Sequence, residues 1–491
     1  MLEALAEYVE PAYGNETMIA QAFRKTLNLD RVGANDDFFK IGGTSINAIK
    51  VVAILSSEGL KISYKDLFET KTPRMLASKI SGTPIPAADS HAACKAIAGG
   101  QFADVLGKNS VESFNEGTPQ TIGNVLLTGA TGYLGVHILH SLLEHTDAKV
   151  SCIVRSAKNF SASSRLRTIL FYYFGQTYED MWDNRIFIYE GDLTERNTLD
   201  AIPADSIDTV INCAASVKHF APGDEIERAN VHTVRNMAGW CTDNGKRMIH
   251  VSTVSVAGDA EMSRATELML TEQTLDMGQG LSNQYVNSKY KAEEILLKGI
   301  QEGKLNAKIM RVGNISPRES DGEFQANFTS NAFMGQLRAY LALGCVPYDT
   351  LNVNCEFTPV DQLADAVIEL GRTPSANVVF HPLNNHSVPL GDVIDAMQEV
   401  LNCRLDLVEM DEFSSRLNGM MAGESDKVSM LQPLVAYQST DGNYAYIGCS
   451  SNFTTGILYR LGFRWSPTSA EYIRTFLTAI SGLGYFDAAI E

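Results

Sequence analysis

A tyrosine and a lysine lie four residues apart in the segment NQYVNSKYKAEE, at Tyr285 and Lys289. On an α-helix this spacing places both side chains on one face, so a phenol and an ammonium can reach the same substrate. A tyrosine phenol has a reference pKa of about 10, and a neighbouring ammonium favours the phenolate and lowers that pKa. Such a pair can protonate the oxyanion that forms when hydride adds to a carbonyl carbon. The spacing is common by chance, so its meaning depends on the surrounding motifs.

Three glycines in TGATGYLG have the spacing of a phosphate-binding turn. The apolar run NVLLT precedes them, a helical pattern follows, and a second apolar run, KVSCIV, begins about 20 residues on. This context predicts a dinucleotide site, because glycines let the backbone approach a pyrophosphate at a helix N-terminus. The predicted cofactor contacts in this turn are Gly129, Thr131, Gly132, Tyr133, Leu134 and Gly135.

The residue that closes the second apolar run distinguishes NAD from NADP. An acidic residue there would bind the ribose 2′-OH, whereas this chain has Arg155, with Arg165 at the start of the next helical segment. Positive charge suits a 2′-phosphate, so the predicted cofactor is NADPH. Asp192 and Leu193, which follow the third apolar run, RIFIY (185–189), are predicted to contact the adenine edge. A surface arginine and a simple turn are the alternatives at these two places.

A third candidate is the serine that ends DDFFKIGGTS, Ser45, directly before a helix-period run. A serine at this place often serves only as a helix cap. The surrounding run DRVGANDDFFKIGGTSINAIKVV, however, resembles the phosphopantetheine attachment region of peptidyl carrier proteins in nonribosomal peptide synthetases. The resemblance covers residues 11–81 and implies that a phosphopantetheinyl transferase attaches a 4′-phosphopantetheine arm to Ser45. Thr44 replaces the Asp or His that usually precedes this serine, which bears on the choice of transferase.

The second half of the chain resembles another family. The glycine turn, the segment HVSTVSVAG and the Tyr–Lys pair together resemble the extended short-chain dehydrogenase/reductases. The segments NCAASV (212–217) and MRVGNISPRESDGEF (310–324), with Asn230, further resemble the thioester reductase domains that terminate some nonribosomal synthetases. They also resemble the reductase parts of aminoadipate and carboxylic acid reductases.

This second resemblance implies a role for each polar side chain. Tyr285 would be the proton donor, while Lys289 would tune it and hold the nicotinamide ribose. Thr253 would give a second hydrogen bond to the carbonyl oxygen, with Ser252 and Ser255 as alternatives for that role. Asn314 would line the nicotinamide end of the site, or else belong to a structural turn.

Together these motifs predict the terminal carrier–reductase of a nonribosomal peptide synthetase. NADPH would reduce an acyl, aminoacyl or peptidyl thioester on the carrier arm and release an aldehyde, or an alcohol after a second hydride transfer. Adenylation and condensation modules upstream would load the carrier. The alternatives are a redox-inactive domain that docks carriers or cyclises the chain, disfavoured by Tyr285, and a nucleotide-sugar-type extended reductase, disfavoured by the fused carrier.

Composition excludes several other classes. The 491 residues are 45% hydrophobic and 20% charged, which is typical of a globular chain with several domains. A net charge of −18 disfavours sequence-independent nucleic-acid binding. With no apolar run of about 20 residues and no secretory signal pattern, no membrane partner is expected. The eight scattered cysteines, with no CxxC pair, indicate free thiols in the cytoplasm and no metal site.

The elements that must position these residues differ along the chain. Residues 11–81 show helical periods and predict a small all-α four-helix carrier domain, and residues 82–120, rich in Ser, Gly, Ala and Pro, predict a linker. Residues 121–491 alternate short apolar strands with helices, which predicts a parallel sheet covered by helices on both faces; the resemblance implies that this α/β unit is a Rossmann-fold reductase. Within it, 121–320 should be mainly the NADP-binding part and 321–491 mainly a helix-rich substrate-binding lobe. CEFTPVDQLADAVIEL (355–370) looks like a strand–helix return.

Overall fold

A computed structural model describes residues 8–12, 14–43, 45–58, 60, 62, 66–67, 70–80, 100–111, 114, 120–157, 159–218, 221, 223–265, 267–374, 376–421, 426–437 and 444–490. Its elements form a helical N-terminal unit, followed by an α/β unit that carries a helix-rich lobe.

The N-terminal unit is a bundle of short amphipathic helices. Within the described residues these are α1 (Asn15–Leu27), α2 (Ser45–Ser57) and α3 (Pro73–Ile80). Their apolar sides meet in a core that contains Ile19 and Phe23, one helical turn apart, together with Leu55 and Leu76. Residues 13, 44, 59, 61, 63–65, 68, 69 and 81 of the predicted carrier domain lie outside the described residues.

A seven-stranded parallel sheet is the centre of the second unit. Its strands are β1 (Val125–Thr128), β2 (Val150–Val154), β3 (Ile186–Glu190), β4 (Thr209–Asn212), β5 (Arg247–Thr253), β6 (Asn306–Val312) and β7 (Val379–Phe380). They lie in the order β7-β6-β5-β4-β1-β2-β3, so the order reverses at β1. Every pairing in this sheet is parallel, which confirms the fold class predicted from the alternation of strands and helices.

Eleven described α-helices of six or more residues follow the first strand of this unit. They are α4 (Tyr133–His145), α5 (Ala162–Phe174), α6 (Thr233–Asn244), α7 (Gln284–Gln301), α8 (Ala332–Leu343), α9 (Val360–Gly371), α10 (Leu390–Leu401), α11 (Met410–Met421), α12 (Gln432–Tyr437), α13 (Asn452–Arg460) and α14 (Ala470–Ser481). Shorter helical segments are Ala103–Leu106, Arg196–Asp200, Glu225–Glu227, Met262–Ala265 and Asp487–Ile490.

Helices cover both faces of the sheet. Neighbouring strand residues point to opposite faces, so Leu127 joins a core with α4, α5 and α9, while Leu126 joins one with α6 and α7. Burial on both faces explains why the strands are continuous apolar runs. The sheet is therefore a rigid base whose carboxyl edge is free to carry loops.

The helix-rich lobe has its own core. Side chains of α8, α10, α11 and α14 meet there, including Leu337, Met397, Phe413 and Phe476. Not every element within residues 321–491 belongs to the lobe, however. α9 and β7, and with them α13, pack on the main sheet although they fall within 321–491. β7 pairs through only two residues, which is too short a segment to give a clear strand pattern in the sequence.

Part of the predicted linker packs on the α/β unit. Phe102, Val105 and Leu106 are buried against the α6–α7 side of the sheet. Asn109 donates from Nδ2 to the Glu272 carbonyl at 2.8 Å and accepts from the Val378 backbone N–H at 3.0 Å. Residues 82–99, 112–113 and 115–119 of the predicted linker lie outside the described residues.

α2 of the helical N-terminal unit contacts the lobe. α2, whose first residue is Ser45, lies against α11 and α12. The helix that begins at Ser45 is therefore packed on the unit that carries the reductase motifs.

Candidate active site

The residues predicted to act in catalysis lie at the carboxyl edge of the sheet. β5 ends at Thr253, and α7, which carries Tyr285 and Lys289, packs on β5 and β6. The glycine turn follows β1, which is two strands away from β5. Ligands of open parallel sheets bind at this edge, near the strand where the order reverses.

α7 holds its two functional side chains from a capped start. Asn283 is the N-cap, and its side chain accepts a hydrogen bond from the Val286 backbone N–H at 3.2 Å. Tyr285 lies in the first turn and Lys289 one turn later. The Lys289 side chain is buried, and its Nζ donates to the Val251 carbonyl oxygen at 2.8 Å. The catalytic helix is thereby attached to β5.

The hydroxyl groups of Thr253 and Tyr285 lie beside each other. A hydrogen bond between the two side chains favours a lower pKa for the Tyr285 phenol. Thr253 Oγ1 also accepts from the Ser255 backbone N–H and donates to Ser255 Oγ, both at 3.1 Å. Two hydroxyls that converge in this way can bind one carbonyl oxygen.

Burial, and not the lysine, dominates the ionisation of the tyrosine. Burial raises the pKa of Tyr285 to about 12, while the hydrogen bond with Thr253 acts in the opposite direction. The Lys289 ammonium is bound to a backbone carbonyl, while the protein around the phenol disfavours the phenolate. Burial also lowers the pKa of Lys289 to about 8, against the opposing effect of Cys213 and Glu293. At neutral pH the phenol is protonated, which is the form a proton donor needs.

The two serines predicted as alternatives to Thr253 have different surroundings. Ser252 Oγ donates to the Glu293 carboxylate at 2.5 Å and is engaged below the site. β5 ends at Thr253, and Val254–Ala257 form a 3-10 helix. The alternation of side chains along a strand therefore does not determine where the Ser255 side chain lies relative to Thr253. Ser255 reaches Thr253 through this tight turn and supports it.

The glycine turn has the shape of a phosphate cradle. Gly129 has a φ of 75°, and a Cβ there would lie 2.7 Å from the Ala214 backbone nitrogen. A Cβ on Gly135 would collide with the Gly129 carbonyl oxygen, so the helix start can approach β1 only with glycine here. Gly132, the N-cap of α4, offers no side chain to its first-turn N–H groups. Those N–H groups fit a pyrophosphate.

Three other predicted contacts in this turn, Thr131, Tyr133 and Leu134, surround the start of α4. The Tyr133 hydroxyl donates to the carbonyls of Ser316 and Glu323, at 3.2 and 3.0 Å. The Tyr133 side chain is therefore bound to the loop after β6, and only the Tyr133 backbone N–H, at the start of α4, points to a cofactor role. The Leu134 side chain is buried in the sheet core.

Arg155, Arg165 and Asp192 come together beyond the ends of β2 and β3. Arg155 Nη1 lies 3.6 Å from Asp192 Oδ2, and the Arg165 guanidinium donates to the Arg155 carbonyl. Hydrogen bonds from Thr194 and the charge of Arg155 hold the pKa of Asp192 below its usual range. Leu193 is partly buried against the core of the α6–α7 side. Two guanidinium groups thus lie where a 2′-phosphate is predicted to bind, and one carboxylate pairs with the first of them.

Asn314 lies just beyond β6 and is exposed. Its backbone N–H donates to Glu356 Oε2 at 2.6 Å. Burial raises the pKa of Glu356 to about 7. The carboxylate therefore anchors the loop that is predicted to line the nicotinamide end, and sequence reasoning did not identify it.

Asn230 connects the NCAASV loop to the catalytic helix. It lies in a π-helical turn, Arg228–His232, which precedes α6. Its Oδ1 accepts from the Ser216 N–H at 2.7 Å, while Nδ2 donates to the Ser216 carbonyl at 2.9 Å and to Ser288 Oγ at 2.8 Å. Ser288 lies between Tyr285 and Lys289, so this asparagine fixes the helix from the side of β4.

Sequence reasoning also missed a buried ion pair beneath the site. Arg311 on β6 and Glu293 on α7 are both fully buried, and Arg311 Nη2 lies 2.7 Å from Glu293 Oε2. Glu293 continues the helical face of Tyr285 and Lys289 by one more turn, which is the signal that could have found it. No local pattern marks Arg311 as its partner.

Two kinds of site are absent from the described ranges. No three His, Cys, Asp or Glu side chains there converge in a way that could hold a metal ion. Every helix described is too short or too polar to cross a membrane.

Two sequence families match the chain. The family described as a phosphopantetheine attachment site matches residues 18–80, and the NAD-binding family described as male sterility protein matches residues 127–367. The first match implies a phosphopantetheine group, and the second implies a nicotinamide dinucleotide.

Two curated relatives are large synthetases. A linear gramicidin synthase polypeptide from Brevibacillus parabrevis is 27% identical, over 93% of this chain and 9% of that protein. The isonitrile lipopeptide synthase of Streptomyces coeruleorubidus is 30% identical, over 78% of this chain and 26% of that protein. The chain thus spans about a quarter or less of the length of these two relatives.

A solved structure of matching extent is the thiolation–reductase di-domain of an archaeal non-ribosomal peptide synthetase. It is 32% identical to this chain, with a TM-score of 0.85, and the match covers 98% of this chain and 100% of that one. The agreement includes both the helical N-terminal unit and the α/β unit. This chain belongs to the thiolation–reductase didomains of nonribosomal peptide synthetases.

Proposed function

We propose that this chain is an NADPH-dependent reductase that releases an acyl, aminoacyl or peptidyl group from its own carrier. The observation that carries the proposal is the joining of two sites in one chain. The helix that begins at Ser45 contacts the lobe of the same unit in which Thr253 and Tyr285 are hydrogen-bonded and Lys289 follows one turn later on α7.

The hydroxyl pair handles the carbonyl oxygen of the thioester. Bound NADPH supplies the hydride. The carbonyl carbon gains that hydride, and its oxygen gains a proton from Tyr285 while Thr253 donates a second hydrogen bond. The hydroxyl of the resulting hemithioacetal then gives up its proton as the carbon–sulfur bond breaks, and the departing sulfur takes up a proton, which leaves a thiol on the carrier arm and frees an aldehyde. A second cycle on the aldehyde would give an alcohol.

The remaining residues hold the cofactor. The N–H groups at the start of α4 bind the pyrophosphate in the cradle of Gly129, Gly132 and Gly135. Arg155 and Arg165 bind the 2′-phosphate, and the Lys289 ammonium holds the nicotinamide ribose beside Asn314. Lys289 has a pKa of about 8, so most of it is cationic at neutral pH.

The domain limits and partners form part of the same proposal. Residues 11–81 are the carrier, 82–120 the connection and 121–491 the reductase. A phosphopantetheinyl transferase modifies Ser45, and adenylation and condensation modules upstream deliver the acyl chain. The seven described cysteines are all free thiols, which suits a protein that works in the reducing cytoplasm.

A loading experiment tests this function. The purified chain is treated with octanoyl-coenzyme A and a promiscuous phosphopantetheinyl transferase, so that an octanoyl arm is attached, and NADPH is then added. Mass spectrometry should detect octanal or octanol and a carrier with a free thiol. The Ser45→Ala variant should carry no arm, and Tyr285→Phe should carry the arm but release little aldehyde. Release of octanoic acid without NADPH consumption would contradict a reductive release.

A further inference from the structure

A completely buried ion pair lies directly below the predicted active site. The side chains of Glu293 on α7 and Arg311 on β6 are each 0% exposed. Arg311 Nε lies 2.9 and 3.1 Å from the two carboxylate oxygens, and Nη2 lies 2.7 Å from one of them. Removing two charges from water is costly, and apolar replacement of such a pair is often neutral or stabilising. Stability alone therefore does not account for a pair at this depth.

A serine joins the pair to a second strand. Ser252 Oγ donates to Glu293 Oε1 at 2.5 Å, and Ser252 is the register partner of Arg311 between β5 and β6. The Glu293 carboxylate thus connects α7 to both strands. Its partner on β5, Ser252, directly precedes Thr253, and its partner on β6, Arg311, lies two residues before Gly313, where β6 has ended. These strand ends carry the residues that are predicted to contact the substrate and the nicotinamide.

Arg311 uses its remaining donors on the loop beside the site. Nη1 donates to the carbonyls of Thr271 and Thr274, at 3.2 and 2.8 Å, and lies 3.3 Å from His381 Nε2. Burial and the charge of Arg311 lower the pKa of His381 to about 3, so this imidazole is a neutral acceptor. The guanidinium is therefore held in one orientation, and it holds the carboxylate of Glu293 in turn.

The pair acts on the same helical face as the proton donor. Tyr285, Lys289 and Glu293 follow at intervals of four residues, so Glu293 lies about 12 Å along the helix from Tyr285. Contacts at Lys289 and Glu293 together define both the rotation and the axial position of α7 on the sheet. A reacting group that is misplaced by about 1 Å can lose about 10²-fold in rate.

The carboxylate also influences the charge of the lysine. Lys289 is faced by Cys213 from the end of β4, by His250 on β5 and by Glu293 on its own helix. Among these groups Glu293 raises the pKa of the Lys289 ammonium, whereas burial lowers it. The loss of the Glu293 charge should therefore lower that pKa further.

We propose that Glu293 and Arg311, with Ser252, are positioning residues of the reductase. They set the placement of Tyr285 against Thr253 and hold the Glu293 carboxylate one helical turn from Lys289, although none of the three side chains touches the substrate. The inference rests on the proposed reductase function, because it concerns the geometry of that reaction.

Three variants of the full chain test this role. Glu293→Gln retains the size of the side chain and removes its charge. The double variant Glu293→Met/Arg311→Met replaces the pair by apolar side chains of similar length. Glu294→Gln is the matched control, since Glu294 is the next residue of α7, is partly buried and contacts none of the three positioning residues through a described hydrogen bond. Thermal unfolding, NADPH binding by fluorescence and NADPH turnover with a carrier-free thioester are measured over a range of pH.

The double variant should fold and bind NADPH within about threefold of the wild type, while kcat falls at least about tenfold and KM changes little. Glu293→Gln should move the alkaline limb of the rate–pH profile to lower pH, and Glu294→Gln should leave rate and profile unchanged. Wild-type kcat and an unshifted limb in Glu293→Gln overturn the inference, even if the double variant does not fold. A wild-type chain that binds NADPH but never oxidises it with a thioester or an aldehyde overturns the proposed function itself.

Discussion

Replacement of Arg155 by alanine tests which side chain distinguishes NADPH from NADH. Arg155 follows β2, its side chain is 73% exposed, and its Nη1 lies 3.6 Å from Asp192 Oδ2. The substitution removes one guanidinium from the predicted position of the 2′-phosphate. It also leaves the Asp192 carboxylate without this partner. Both changes disfavour a phosphate and leave a ribose 2′-OH almost unaffected.

The exposure of Arg155 determines the expected magnitude. Hydrogen bonds to charged groups contribute about 1.5–3 kcal/mol. Water screens a largely exposed guanidinium, and the phosphate must replace an ion pair with Asp192 that contributes about 0–1 kcal/mol. The lower end of the range, about 1.5 kcal/mol, corresponds to about tenfold in Kd. We therefore expect the Kd for NADPH to rise about tenfold and the Kd for NADH to change by less than about twofold.

Fluorescence titration of both nucleotides measures this ratio directly. Asp192→Asn should tighten NADPH binding because it removes the competing carboxylate. Arg167→Ala is the control, since Arg167 also lies in α5, near Arg165, but its guanidinium is 3.2 Å from the Glu179 carboxylate. Added salt should weaken NADPH binding more than NADH binding, because salt ions screen the attraction between the guanidinium groups and the extra phosphate. An unchanged NADPH-to-NADH ratio in Arg155→Ala would refute the role given to Arg155.

Other expectations concern the chemical step and the carrier. Tyr285→Phe should retain NADPH binding and lose about 10²–10⁴-fold in turnover with a small aldehyde or thioester, and near-normal turnover in a folded, NADPH-bound variant would show that the proton comes from elsewhere. Thr253→Ala should lose less than Tyr285→Phe in the same assay, because one of two hydrogen bonds to the oxygen remains. Burial lowers the pKa of Lys289 to about 8, so activity that needs its ammonium should fall as the pH rises through about 8, and a flat alkaline profile would contradict this requirement. Lys289→Ala should weaken NADPH binding as well as slow turnover, in the same titration and assay. Ser45→Ala should gain no mass after treatment with a phosphopantetheinyl transferase, whereas an arm on this variant would disprove the attachment site.

Several features of the molecule could be predicted because their signals are local. The spacing of Gly129, Gly132 and Gly135 depends on a turn of a few residues, and the structure shows the close approaches that such a turn requires. Tyr285 and Lys289 share a face because the helical period places them there. Apolar strands alternating with helices predicted the parallel sheet that the structure contains. Ser45 begins α2, as the glycines before a helix-period run predicted.

Contacts between distant parts of the chain were decided only by the tertiary structure. The pKa of Tyr285 depends on how much protein encloses the phenol, which the helical spacing with Lys289 does not reveal. Ser252 remained an alternative to Thr253 in the sequence, because its partner Glu293 lies 41 residues away. β7, a strand of two residues, belongs to the sheet only through its pairing with β6. Periodicity and turn chemistry act between neighbours in the chain, whereas desolvation and ion pairing depend on which segments the fold brings together.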